Sequence, residues 1–159
     1  MGEGAGTGQA GGRGLYYEDL VSGSTFESGA RTVTGSDVRA FAELSGDRNP
    51  MHLDDAFAAQ TPFGRPVAHG VLGLAVATGL LSALGLTRDT LVALVGVSWS
   101  FRLPVFYGDT VRVRVRVASR RDSSRKDRGL VTLAAELLNQ RGQVVQEGEL
   151  VELVKRRGS

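Results

Sequence analysis

The stretch Ser45-Gly46-Asp47-Arg48-Asn49-Pro50-Met51-His52 sets an aspartate and a histidine five positions apart, with a proline between them. A carboxylate and an imidazole are well suited to exchanging protons near neutral pH. Five residues along a straight helix would send them to different faces. Across a proline-containing turn they can converge on one point. A water molecule held there could lose a proton to one group while the other delivers a proton elsewhere. Asn49 could orient either partner by hydrogen bonding. A lone aspartate is more often a turn cap, and a lone histidine more often a surface residue. It is the density of Gly-Asp-x-Asn-Pro-x-His that points to an acid/base pair.

The elements around this stretch follow from pattern. Residues 25–33 read as a strand. Thr34-Gly35-Ser36-Asp37 then reads as a capping box, with Thr34 as the cap and Asp37 three residues on. Val38, Phe41, Ala42 and Ser45 follow at helical spacing, and Gly46 ends that helix. Residues 47–53 are expected as a loop, and 54–59 as a short helix. From Gly70 to Leu84 the chain is apolar on every side and rich in Gly and Ala, which predicts a buried helix that other backbone approaches closely. After Leu91 the period falls to two. Trp99, Phe101 and Leu103 alternate with polar residues, and Val111, Val113, Val115 and Val117 alternate with arginines. Residues 129–139 and 143–154 read as further strands, and 120–128 as a charged hairpin tip. The class is α+β, with one long helix against an antiparallel sheet of about five strands. Such a sheet covers only one side of the helix, so the other faces need a second copy of the chain.

Composition narrows the function. The net charge is +2, with arginines spread along the chain, which does not suggest nucleic-acid binding. There is no cysteine, so no disulfide and no thiolate metal site, and the two histidines, His52 and His69, make a multi-histidine metal site an unexpected reading. The most apolar run, 71–86, is shorter than the roughly 18 residues needed to cross a bilayer. No signal pattern is seen at the start. A soluble, cytoplasmic protein is expected. Residues 1–14 are glycine-rich with little to bury and are expected to form a flexible tail, leaving one domain over 15–159.

The Ser45–Asp54 stretch, with Ala56-Phe57-Ala58 after it, resembles the hydratase motif of MaoC-like (R)-specific enoyl-CoA hydratases. Phe63-Gly64-Arg65-Pro66-Val67-Ala68-His69-Gly70 is similar to the segment that leads into that family's central helix, and residues 100–109 to its strand-and-turn signature. The resemblance implies the hotdog fold, a helix wrapped by an antiparallel sheet that dimerises through its edges. It implies reversible hydration of a 2-enoyl thioester to the (R)-3-hydroxyacyl thioester. Asp47 and His52 would be catalytic. Asn49, Gly70 and Thr78 would attend the substrate, with the Gly70 N–H, at the positive end of the helix, as the oxyanion donor. His69 would be structural. No separate cofactor is implied, since coenzyme A or an acyl carrier protein is part of the substrate. Thr78 stands where some relatives have serine, and it could equally pack.

Two rival readings stay open. A hotdog thioesterase usually needs a carboxylate on the central helix, and residues 71–84 contain no Asp or Glu. A catalytically silent acyl-thioester-binding subunit would be expected to lack the motif, yet Asp47, Asn49 and His52 are all present. The basic cluster at Arg120, Arg121, Arg125, Lys126 and Arg128 could meet coenzyme A phosphates or an acidic carrier, although charged hairpin tips are usually only solvated.

Overall fold

The computed structural model describes residues 12–158; all but the end of the expected 1–14 tail lies outside them. Gly14 is already buried, and a side chain there would sit 1.9 Å from the Arg88 carbonyl.

Where 25–33 reads as one strand, the chain forms two short ones, β1 (Thr25–Glu27) and β2 (Arg31–Thr32). Ser28 causes the break. Its hydroxyl accepts from the Val113 N–H at 2.9 Å and donates to Gly29 O at 2.7 Å, so the side chain takes over a ladder position. Helix α1 (Gly35–Ser45) begins at the expected capping box, with Thr34 and Asp37 satisfying each other's backbone N–H, and ends at Gly46 with φ 78°. The expected 47–53 loop instead contains a single helical turn, α2 (Pro50–Leu53). Pro50 is pre-set for a first helical position, and Asn49 caps the turn by accepting from the Met51 N–H at 3.2 Å. Helix α3 (Asp55–Ala58) follows, capped by Asp54.

Helix α4 (Gly70–Leu84) is the central helix and ends at Gly85, φ 69°. Four long strands complete the chain: β3 (Leu91–Phe101), β4 (Thr110–Asp122), β5 (Arg128–Leu138) and β6 (Val144–Lys155). The antiparallel sheet has the order β1-β4-β5-β6-β3, with β2 also paired to β4. Leu72, Val76, Ala77 and Leu80 of α4 share one core with Val113, Val115, Val117, Val131, Leu133, Leu137 and Leu150 of the sheet.

The period-two reading of β4 is seen directly, with Val111 to Val117 buried and Arg112, Arg114 and Arg116 on the wet face. Fully burying one such valine stabilises by about 1.5–3 kcal/mol. The Arg112–Glu27 and Arg114–Glu136 pairs on the wet face are solvent-exposed and worth about 0.2–1 kcal/mol each. The apolar row therefore holds the sheet.

Strand β3 behaves differently from its expected alternation. It is one edge of the sheet, and Leu91, Val92, Leu94, Val95, Val97 and Phe101 are all exposed. Two register shifts, between Leu91 and Ala93 and between Leu94 and Gly96, disturb the simple two-faced pattern. Among the described residues no helix is long and apolar enough to cross a membrane.

Replacing Thr34 by Ala removes the α1 cap, and urea unfolding should report a loss of about 1 kcal/mol with an unchanged m-value.

Candidate active site

Three side chains meet at the junction of α1, α2 and α4. One possible ligand atom from each of Asp47, His52 and His69 lies within 4.8 Å of the others. Asp47 is exposed, whereas both imidazoles are buried. The rings stack with centroids 3.9 Å apart and planes at 30°.

His52 is placed by its backbone and by its ring. Its N–H donates to the Asn49 carbonyl at 3.0 Å, within the turn that Asn49 caps. Its Nδ1 lies 2.7 Å from the Val67 carbonyl oxygen. A carbonyl only accepts, so Nδ1 carries the proton, and in the neutral ring Nε2 keeps the lone pair. Val67 is itself held. Its N–H donates to Met51 O at 3.3 Å, and the Ala68 N–H donates to Val105 O at 2.8 Å. From the other side Tyr107 donates its hydroxyl to the His52 carbonyl. Burial raises the Tyr107 phenol above its usual range, the nearby Arg39 opposing this and Asp55 adding to it. The phenol therefore stays a donor.

Asp47 sits just past the left-handed Gly46. Its N–H donates to Ser45 Oγ at 3.1 Å, and its carboxylate accepts from the Asn49 N–H at 3.2 Å. His69 reaches across with Nε2 2.9 Å from the Asp47 carbonyl oxygen, so Nε2–H is the donor. Its Nδ1 is the one buried side-chain polar atom among the described residues without a partner. His69 thus grips the backbone of the residue that carries the carboxylate.

Gly70 opens α4, where an N–H has no acceptor within the helix. A side chain at Gly70 would place its Cβ 2.9 Å from the Phe101 ring. Below it, Trp99 Nε1–H donates to Gln146 Oε1 at 2.9 Å, and Gln146 Nε2–H donates to the Gly70 carbonyl at 3.1 Å. Gly73 makes room for that amide, since a Cβ there would lie 2.1 Å from Gln146 Nε2.

The residues picked from sequence therefore fall in two places. Asp47, Asn49, His52 and His69 come together around the α2 turn. Gly70 adjoins His69. Thr78 is two turns further along α4, half-buried, with its hydroxyl donated to the Ala75 carbonyl at 2.8 Å. Val67, Tyr107, Trp99 and Gln146 were not singled out as site residues. Val67 acts through its backbone, which carries no residue-type signal. Gln146 stands 76 positions from Gly70, and only its polarity on the buried face of a strand could have marked it. In the basic cluster, Arg120 donates to the Tyr17 and Glu18 carbonyls at 2.9 and 3.2 Å, and Arg128 pairs with Asp127 at 2.5 Å.

A central helix packed against an antiparallel sheet in the order β1-β4-β5-β6-β3 is the architecture of a hotdog protein. A protein of Mycobacterium tuberculosis with a double hotdog fold, 24% identical, superimposes with a TM-score of 0.79 over 92% of this chain and 46% of that one. The model of the MaoC-like domain matches residues 21–137, and the chain belongs to that family. It is 47% identical over 106 residues to a 3-hydroxybutyryl-CoA dehydratase of Methylorubrum extorquens, covering 65% of this chain and 64% of that protein, just under two thirds of its length. It is 41% identical over 116 residues to an (R)-specific enoyl-CoA hydratase of Aeromonas caviae, covering 73% of this chain and 82% of the relative. A crystal structure of a MaoC-like dehydratase from Rhodospirillum rubrum, 34% identical, gives a TM-score of 0.84 over 92% of this chain and all of the other.

Gln146→Leu leaves the half-buried Trp99 N–H without its acceptor and frees the first turn of α4. Thermal or urea unfolding should show a loss of about 0.5–1.5 kcal/mol, the net worth of an ordinary hydrogen bond.

Proposed function

We propose that this protein is a hydro-lyase that adds water reversibly to a 2-enoyl thioester, giving the (R)-3-hydroxyacyl thioester. The observation that carries this reading is the locked tautomer of His52, with Nδ1 given to Val67 O and Nε2 left to face a proton, beside the Asp47 carboxylate. The named relatives, a dehydratase and an (R)-specific hydratase, support the same reaction class.

In hydration, a water held between Asp47 and His52 loses a proton to the pair as its oxygen bonds to the β-carbon. The carbon–carbon π pair shifts toward the thioester, and negative charge develops on the carbonyl oxygen. The Gly70 N–H donates to that oxygen. One such donor is worth about 2.7–4 kcal/mol in a transition state. The pair then supplies a proton to the α-carbon, and the reverse sequence expels water. Asp47 and His52 work as one coupled unit. Asn49 is a supporting residue, shaping the α2 turn and bonding the Asp47 carboxylate through its N–H. Coenzyme A or an acyl carrier enters only as the handle of the substrate, and no further cofactor takes part.

Wild-type protein should deplete the conjugated enoyl absorbance of crotonyl-CoA. Asp47→Asn and His52→Ala should each lower kcat by about 10²–10⁴-fold, the usual scale for a lost acid/base group, while circular dichroism shows an intact fold. Full activity in both variants would remove them from the chemistry.

The working form is a homodimer joined at the β3 edge. That edge carries unpaired backbone groups and a row of exposed Leu and Val, a combination that isolated soluble chains avoid. Sedimentation should give twice the chain mass, and Val95→Lys should shift the protein toward monomer. A wild-type monomer would contradict this.

A further inference from the structure

A concavity lies away from the acid/base pair, along the C-terminal half of α4. It is a cavity of about 410 Å³, within the range of small-molecule sites. Thr78 and Leu81 of α4, Leu133 and Leu150 of the sheet, and Thr87 and Glu152 form its walls. Arg88 and Asp89 also line it but are exposed to solvent.

Glu152 is the unexpected wall. It lies on the face of β6 that points to α4, in the same row as buried Leu150 and Val154. Leucine or valine would pack there at no electrostatic cost. Its side chain forms no ion pair among the described residues, and its polar partner is the Thr87 hydroxyl, which donates at 3.3 Å. Burial pushes the carboxyl above its usual range, and the Thr87 bond only partly opposes this. Neither packing nor charge pairing accounts for a carboxyl in this row, whereas a ligand that donates a hydrogen bond would.

The cavity begins at Thr78, eight residues beyond Gly70, or about 12 Å along a helix that rises 1.5 Å per residue. A thioester whose carbonyl sits at the Gly70 N–H reaches it only with the far end of an extended acyl chain. We propose that Glu152 makes this cavity select, among longer acyl chains, those whose distal end carries a hydrogen-bond donor, such as a hydroxyl, over plain alkyl chains of equal length. The inference rests on the hydratase reading above. A plain chain would cover the carboxyl without pairing it, and sites built around a hydrogen bond reject analogues that lack it far more strongly than apolar sites reject an added hydroxyl.

The test compares a medium-chain 2-enoyl-CoA with its ω-hydroxy analogue, each kcat/KM being divided by that of the same protein on crotonyl-CoA. Crotonyl-CoA is too short to reach the cavity. The wild-type protein should favour the hydroxylated chain by about tenfold or more. Glu152→Leu should reverse that preference, and Glu152→Gln, which keeps the volume and a hydrogen-bonding group, should retain part of it. Equal or better use of the plain chain by the wild type overturns the proposal, as does a preference that survives Glu152→Leu. Absence of wild-type turnover on crotonyl-CoA overturns the hydratase reading itself, and this proposal with it. Turnover of crotonyl-CoA without discrimination between the longer chains overturns the proposal alone.

Discussion

The hydrogen bond between His52 Nδ1 and the Val67 carbonyl is the constraint on which the site depends. It fixes the tautomer, the ring orientation and the direction of the free nitrogen together. The bond can form only because the Val67 segment is itself tied to Met51 and to Val105 by backbone bonds. Those ties join the α2 turn, the approach to α4 and the start of the 105–109 turn. His69 adds a second tie by donating to the Asp47 carbonyl. Two imidazoles adjacent in space thus serve opposite ends: one spends a ring N–H to hold the backbone beneath the carboxylate, the other to free its remaining nitrogen.

The central helix supplies the second half of the proposed site. Its apolar face packs into the Val and Leu rows of the sheet, and that burial sets where its N-terminus emerges. The Trp99–Gln146–Gly70 relay then holds the first turn against the sheet. Gly70 and Gly73 are small for separate reasons: Phe101 lies over the first, and the Gln146 amide lies against the second. Packing energy places the helix, and a few polar contacts set its end. The same sheet leaves β3 bare at its edge, so the proposed dimer edge and the site draw on one architecture.

Local features were legible in the sequence. The Thr34–Asp37 cap, the stop at Gly46, the alternating β4 and the apolar α4 all follow from patterns confined to a single element. Asp47 and His52 were legible as a pair because a short turn brings them together. The α2 helix was missed because a four-residue helix has no period to detect, although Asn49-Pro50 carried its cap and first position. The division of 25–33 depended on Ser28 bonding to Val113, 85 residues away. The exposed edge of β3 could not be read from a strand that looks as apolar as a core strand. Glu152 and Gln146 sit in period-two strands where a single polar residue gives no hint of what it faces.

In the proposed reaction Asp47 and His52 act on the carbon–carbon bond of an acyl thioester and leave the thioester intact. Chiral analysis of the product formed from crotonyl-CoA tests it most directly. The expected product is (R)-3-hydroxybutyryl-CoA, with coenzyme A still attached. Release of free coenzyme A with crotonate, or formation of the (S) product, would contradict it.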